Sequence, residues 1–324
     1  MAEKQRVAVI GASGIGQHHA RWYDLCGCDV VSIVGTSAAS CEATRQRLET
    51  YFGFSGRAYD DVGEMLAAES PDIVDVSSPY ERHREHALQA LEAGAHVVCE
   101  KPMCWDEAKT FDEILGDGRA IVEAAKKAGR LLSVSSQYPA VIPTYRALYE
   151  QVRGSWQQVE TLSMVMETKG RKGPKNRERI WIDMGSHPLS LVIGLMPEGQ
   201  VDPASVDFEI SERENRLRFD YVEEAGRCAV DVVLRDIDEG TPARRFGANG
   251  FMVDWEGYPD EQGIFRARLV HGDDAVSCDD FMHMLIAAFI AGVQGRPEGL
   301  IVPGEVGLRN LELQTDLLRD ARQI

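Results

Sequence analysis

The chain has 324 residues, 44% of them apolar, and 35 Lys and Arg against 52 Asp and Glu give a formal net charge of −17. That length accommodates two domains with a substantial core, and the negative charge disfavours binding to nucleic acid or an anionic membrane. Seven scattered cysteines make no disulfide framework, and the chain shows neither a signal-peptide pattern nor an apolar run of about 18 residues, so the expectation is a cytoplasmic protein with no membrane span.

Val7–Ile10 reads as a short buried strand, followed by the glycine turn Gly11-Ala12-Ser13-Gly14-Ile15-Gly16 and a helix to about Leu25. Val30–Val34 is the next strand, and residues 38–50 form a polar helix. Ser70-Pro71 turns into the strand Ile73–Val76. Glu81 to Ala93 is a helix stopped at Gly94, and His96–Cys99 is again a strand. Asp106 to about Lys127 is mainly helical, with Gly116 and Gly118 marking a break or insertion, before a strand at Leu131–Ser135. Short apolar strands alternating with helices predict βαβ units and a parallel sheet.

After about residue 155 the pattern changes. Val159–Glu167, Asp207–Ser211, Arg216–Val222, Cys228–Leu234, Gly250–Trp255 and Ile264–Leu269 are predicted strands, several alternating polar with apolar residues as in a sheet with one wet face. Phe281–Val293 and Glu305–Ala321 are closing helices. The expected fold class is α/β: a dinucleotide-binding domain over 1–135, then an α+β domain over 136–324 with a largely antiparallel open sheet, its last helices packing back on the first domain. Lys169–Arg179 carries six Lys and Arg and reads as a solvated loop, or as a loop over the active cleft or a phosphate contact.

The glycine turn heads a βαβ unit, which is where a dinucleotide is seated. Gly11 permits the tight turn and Gly16 a close helix–sheet approach, while Ser13, Gly14 and Ile15 present backbone N–H groups to a pyrophosphate. Ser13 replaces the second glycine of a GxGxxG frame, and Gly11, Gly14 and Gly16 also fit a GxxGxG frame. After the second strand, Thr36 and Ser37 stand where an NAD site usually carries Asp or Glu. A 2′-phosphate meets no carboxylate there, and Arg45 or Arg47 could add charge, so the reading prefers NADP(H) and leaves NAD(H) open.

Val74-Asp75-Val76-Ser77-Ser78-Pro79, His83, His86, Ala90-Leu91-Glu92-Ala93-Gly94 and Glu100-Lys101-Pro102 follow in one order. With the glycine turn before them and Asp183 and His187 after, the chain resembles the glucose–fructose oxidoreductase / inositol dehydrogenase / rhizopine catabolism (Gfo/Idh/MocA) family, most strongly over 5–104 and 180–196. The resemblance implies an N-terminal Rossmann domain and a C-terminal α/β domain whose open sheet often forms a subunit interface, hence a homodimer or homotetramer. It also implies oxidation or reduction of sugars, cyclitols or related polyols with NAD(P). It places Lys101 toward nicotinamide and substrate, and the Asp-x-x-x-His pair on Asp183 and His187. Ser190 stands where relatives commonly have an acid, and no arginine stands beside Gln137-Tyr138-Pro139 where relatives often have one, so substrate contacts there differ.

The residue chemistry agrees. Hydride transfer at a hydroxyl carbon needs a proton moved at its oxygen, and His187 suits that task near neutral pH. Lys101 stabilises oxyanion character or shares the relay, and Asp183 orients His187 or binds a neighbouring hydroxyl. If residues 182–190 are helical, the four-residue spacing puts Asp183 and His187 on one face. Ser77, Ser78, Pro79 and His83 are candidate cofactor contacts, and Glu100 supports the cofactor or the lysine loop. Gln137, Tyr138 and Trp181 are candidate substrate contacts, although Tyr138 and Trp181 could equally be core. His83 and His86 read as structural histidines rather than a metal pair, and the expected chemistry needs no metal. Two alternatives remain: an enzyme with tightly held NAD(H) that oxidises transiently to eliminate or cleave a glycoside, and a noncatalytic dinucleotide sensor.

Overall fold

Val7, Ala8, Val9 and Ile10 carry no polar side-chain atom, and in the structure, a computed structural model describing residues 4–169 and 177–324, all four are buried inside a parallel sheet. That sheet belongs to a first compact unit made of residues up to Ser136 together with Met282–Leu311. Its elements run β1 (Arg6–Ile10), α1 (Gly16–Leu25), β2 (Asp29–Val34), α2 (Ala38–Phe52), β3 (Arg57–Tyr59), α3 (Val62–Glu69), β4 (Ile73–Val76), α4 (His83–Glu92), β5 (His96–Cys99), α5 (Phe111–Ala128) and β6 (Leu132–Val134). The strand order is β3-β2-β1-β4-β5-β6, every pair parallel, so the loops after β1, β4 and β5 leave the same edge of the sheet. This is the topology of a doubly wound dinucleotide-binding sheet, in which ligands bind beyond the carboxyl ends of the strands.

The strands of the first unit lie close to their sequence expectations, while β3 and α3 emerge only from the structure. Helix α5 corrects one expectation. It starts later than Asp106, at a capping box between Thr110 and Glu113, and runs through Gly116 and Gly118 without a break. Gly118 is there for packing: a β-carbon on it would stand 2.9 Å from Leu311 and 3.0 Å from Leu308.

The second unit comprises Gln137–Phe281 and Glu312–Ile324. It contains α6 (Ile142–Arg153), β7 (Thr161–Lys169), α7 (Arg179–Met184), α8 (Ser186–Leu195), β8 (Gln200–Val201), β9 (Asp207–Ile210), β10 (Glu214–Glu223), β11 (Gly226–Ile237), β12 (Arg244–Ala248), β13 (Phe251–Pro259), β14 (Phe265–His271) and β15 (Asp274–Asp279). After it come α9 (Phe281–Val293), α10 (Gly304–Arg319) and β16 (Arg322–Gln323); residues 282–311 fall in the first unit and 312–324 in the second. The sheet order is β15-β14-β13-β12-β7-β11-β10-β9-β16, with β8 on β10. It is antiparallel apart from the β7–β11 and β9–β16 pairs. The basic stretch singled out in the sequence lies, over residues 170–176, outside the described residues.

Alternation gives this sheet one buried face, including Leu162, Met164, Leu217, Phe219, Val230 and Val232. The other face carries ion pairs between residues directly opposite in register: Arg218 with Asp231, Arg245 with Asp254, and Arg268 with Glu256. Opposite charges at facing positions favour this register over a slipped one.

Tyr145 ties α6 to the β12–β13 turn, its hydroxyl accepting from Ala248 N–H at 2.7 Å and donating to the Phe251 carbonyl at 2.8 Å. Both bonds are buried. Tyr145→Phe is expected to lower unfolding stability by about 1–3 kcal/mol, the cost of stranding such groups, as measured by urea denaturation.

Candidate cofactor and catalytic sites

The glycine turn is set by contact with the loop after β4. Gly11 has φ +91°, and a β-carbon on it would stand 2.6 Å from the carbonyl carbon of Ser77 and 2.7 Å from Ser78 N. Only glycine satisfies both the backbone and the space. Gly16 opens α1, and a β-carbon there would lie 2.8 Å from the Gly11 carbonyl oxygen and 3.1 Å from Val9. Nothing stands within 4 Å of the corresponding point at Gly14, and Ser13, Gly14 and Ile15 are exposed. Ile15, at the N-cap of α1, supplies no side-chain cap. The turn therefore brings backbone, without side chains in the way, to a helix N-terminus, as a pyrophosphate requires.

A cavity of about 670 Å³ opens against this turn. Its walls include Gly11, Ser13 and Gly14 from the turn, Thr36, Ser40 and Thr44 beyond β2, and Ser77, Ser78 and Pro79 beyond β4. Ser37 is not on the wall. It forms the N-cap of α2, with Ser40 N–H donating to its hydroxyl and Ser37 N–H donating to Ser40 Oγ. Arg45 is also turned to other work: its guanidinium is bidentate to Glu42 at 2.8 and 2.9 Å and reaches Glu49 at 3.3 Å. Its hydrogen bond, with that of Gln46, holds the Glu42 carboxyl at about 2. Arg47 donates to the Ser13 carbonyl at 3.4 Å, so it flanks the turn rather than the cavity.

Beyond β4 and β5 the polar groups interlock. Ser77 Oγ donates to Asp75 at 2.5 Å, and Ser78 Oγ meets His86 Nδ1 at 2.9 Å. His83 Nε2 faces the Ser78 carbonyl at 2.7 Å and its Nδ1 the Pro102 carbonyl at 2.9 Å, which pins the loop after β4 to the Glu100-Lys101-Pro102 turn. His83 is thus a clip between backbone carbonyls and is not on the cavity wall. Burial lowers its proton affinity, with the two carbonyls pulling the other way. Burial likewise holds His86, which does line the cavity, at about 4. The Lys101–Pro102 peptide is cis. Glu100 is nearly buried, and its Oε2 accepts Lys101 N–H at 3.2 Å. Lys101 therefore follows β5 at the sheet edge that carries the glycine turn.

In the second unit, Asp183 and His187 straddle the junction of α7 and α8. Gly185 between them keeps helical angles, φ −60° and ψ −30°, so the backbone carries the helical path across the assigned break. Pro188 has no N–H for the Met184 carbonyl, which accounts for the interruption. Gly185 is needed because a β-carbon would stand 2.7 Å from the Trp181 indole. His187 is buried, with the Tyr138 ring 5.4 Å from its own. Ser190, at the position noted above, donates to the His187 carbonyl at 2.7 Å. Tyr138 is 1% exposed and its hydroxyl has no hydrogen-bond partner among the described residues; burial pushes its phenol up to about 12. Gln137 is half-buried. Trp181 is fully buried, its indole N–H donating to the Gln314 carbonyl at 2.9 Å, so it sits as a core residue.

His19 and Asp75 were not singled out from the sequence, although Asp75 sat within a quoted run. His19 Nδ1 lies 2.9 Å from Asp75 Oδ2, and Tyr23 OH donates to the same oxygen at 3.2 Å. The available signal was a lone carboxylate inside the apolar strand Ile73-Val74-Asp75-Val76. Among the described residues no group of three or more His, Cys, Asp or Glu could hold a metal ion, and no helix is long and apolar enough to cross a membrane.

Residues 5–136 match the family model described as "Oxidoreductase family, NAD-binding Rossmann fold" (GFO_IDH_MocA). Over that Rossmann region the chain matches the Gfo/Idh/MocA family. The chain is 35% identical over 148 residues to D-glucoside 3-dehydrogenase of Escherichia coli, covering 45% of this chain and 38% of the relative. It is 30% identical over 194 residues to D-apiose dehydrogenase of Paraburkholderia graminis, covering 57% and 48%. It thus spans half or less of these curated relatives. A probable dehydrogenase from Thermotoga maritima shares the fold, with a TM-score of 0.70 at 21% identity over 95% of this chain and 94% of that one. The family's Rossmann description, the unobstructed glycine turn and the cavity against it agree on a nicotinamide dinucleotide as the ligand of the first unit.

Two outcomes follow. Gly11→Ala should abolish NADPH and NADH binding in a fluorescence titration, because the added carbon has no room against Ser77. Since His86 binds a proton less tightly folded than unfolded, the unfolded chain takes up that proton first as the pH falls from 6.5 to about 4. Stability should decline across that window and hold level above it. His86→Gln should flatten the decline in urea midpoints measured against pH.

Proposed function

We propose that the protein is an NADP(H)-preferring oxidoreductase that interconverts a secondary hydroxyl and a ketone on a sugar, cyclitol or related polyol. One observation carries the reading: Lys101 follows β5 at the same sheet edge as the glycine turn, and His83 lies between its loop and Ser78, which stands against Gly11. The names of the curated relatives, a glucoside and an apiose dehydrogenase, support the substrate class.

When bound, the nicotinamide accepts or supplies the hydride. In the oxidative direction His187 takes the proton of the reacting hydroxyl, and Lys101 lowers the energy of the charge developing on its oxygen. Asp183 orients His187 or holds an adjacent hydroxyl. In reduction His187 returns the proton. Tyr138 packs its ring beside His187, and Gln137, half-buried, offers a polar contact to substrate.

Three hydroxyls, of Thr36, Ser40 and Thr44, on the cavity wall near the start of α2 support the NADP(H) preference. Asp60 and Asp61 also line that wall, Asp61 with its carboxylate engaged in capping α3, at 2.8 Å from Glu64 N–H. With Arg45 paired to Glu42 and Glu49, recognition rests on hydroxyls and helix amides, and the expected advantage of NADPH over NADH is less than about tenfold, roughly 1.4 kcal/mol. The same reading carries a homodimer or homotetramer, which a protomer mass in light scattering would contradict.

The test is a panel of sugars and polyols offered with NADP⁺ and NAD⁺, monitored by formation of reduced nicotinamide. Turnover of at least one member is expected, and Lys101→Met or His187→Asn should lower kcat by about 10²–10⁴. Unchanged turnover in Lys101→Met would remove that residue from the chemistry. Tighter binding of NADH than NADPH in direct titration would reverse the cofactor assignment.

A further inference from the structure

The mechanism above leaves one buried ionisable cluster without a task. Asp75 lies on β4, 1% exposed, in a strand whose other residues are apolar. A buried carboxylate is costly unless its oxygens are matched by donors, and three converge on it. Ser77 Oγ donates to Oδ1 at 2.5 Å, Tyr23 OH donates to Oδ2 at 3.2 Å, and His19 Nδ1 stands 2.9 Å from Oδ2. A carboxylate of this kind only accepts, so the Nδ1 of His19 carries a proton.

The far side of the same ring faces a second carboxylate. His19 is 0% exposed, and its Nε2 lies 3.5 Å from Glu100 Oε1. That approach is attractive only with a proton between the two atoms. The other oxygen of Glu100 accepts the backbone N–H of Lys101. A chain of contacts therefore runs from β4 through the ring on α1 to the residues after β5: Asp75, His19, Glu100 and Lys101, its His19–Glu100 link an approach at 3.5 Å and not a hydrogen bond.

We propose that His19 and Asp75 are positioning residues that act through Glu100 on Lys101. The inference rests on the catalytic reading of Lys101. Asp75 fixes the ring, the ring fixes the place and charge of Glu100, and Glu100 holds the Lys101 main chain. The ring also offsets the second carboxylate, so that Lys101 does not stand beside two uncompensated negative charges. The other titratable groups facing this path are Tyr23 and His18 from α1, Cys99 from β5 and His83 from α4. Burial pushes Tyr23 and Cys99 well up, which leaves both uncharged near neutral pH, and lowers the proton affinity of His83 against the pull of its two carbonyls.

A purely structural role, pinning α1 to β4, is separable from this one. Asparagine places its amide where the histidine Nδ1 stands and has nothing in place of Nε2. His19→Asn thus keeps the Asp75 contact and loses the Glu100 contact. The measurement is an NMR titration of the lysine Nζ groups in the 324-residue chain, the Lys101 signal being assigned by its loss in Lys101→Met. His19→Asn is expected to raise the Lys101 midpoint by about one pH unit, a tenfold change in acid constant. In a Glu100→Gln background the same substitution should move it far less, because the path is already cut. An unchanged midpoint in His19→Asn, or an equal shift in both backgrounds, would overturn the proposal. Should His19→Asn fail to fold, His19→Gln, which likewise removes the ring and any charge on it, enters the same cycle with the same expectation. Turnover retained by Lys101→Met in the sugar and polyol panel would instead sink the catalytic reading, while the titration, needing no substrate, still decides the positioning.

Discussion

The carbonyl of Ser77 stands where a side chain on residue 11 would begin, and much of the first unit follows from that approach. It requires glycine at position 11, in a conformation that other residues avoid. It brings the start of α1 so close that position 16 must also lack a side chain. With the head of α1 fixed, the next turns of the helix carry His19 and Tyr23 onto Asp75 of β4. The cradle for a pyrophosphate and the buried network behind it are two consequences of one backbone contact.

The network is the more demanding of the two. Burying two carboxylates and an imidazole is no route to stability by itself, since desolvation rivals the attraction gained. Such clusters serve better to fix geometry, and this one ends at the residue before Lys101. The surface shows a different use of charge. On the outer face of the second sheet, arginines sit opposite acids in register, each exposed pair contributing little stability. Their effect is to make a slipped register electrostatically poor.

Much of this was legible in the sequence. Ile73–Val76 and His96–Cys99 stand as strands at the expected residues, because buried parallel strands are short apolar runs with clear turns around them. Gly11 and Gly16 have the separate duties that their spacing implied. Other features needed three dimensions. Gly118 looks like a breaker until Leu308 and Leu311 occupy the space beside it. Arg45 looks available to a phosphate until Glu42 and Glu49 take it. Strand β3 and helix α3 are short and mixed in composition, so no period reveals them. His19 was hidden because nothing in one dimension says that a histidine on α1 meets an aspartate 56 residues later.

The account stands or falls on hydride transfer between a nicotinamide and a carbon bearing oxygen. The most direct measurement supplies reduced dinucleotide carrying deuterium at the nicotinamide C4 position, together with a mixture of keto-sugars and keto-polyols, and examines the products by mass spectrometry. The account predicts one deuterium bound to carbon in a product alcohol, absent when Lys101→Met replaces the wild-type protein. Consumption of a substrate with no deuterium on product carbon, or no transfer to any member of the mixture by protein that binds the dinucleotide, would contradict it.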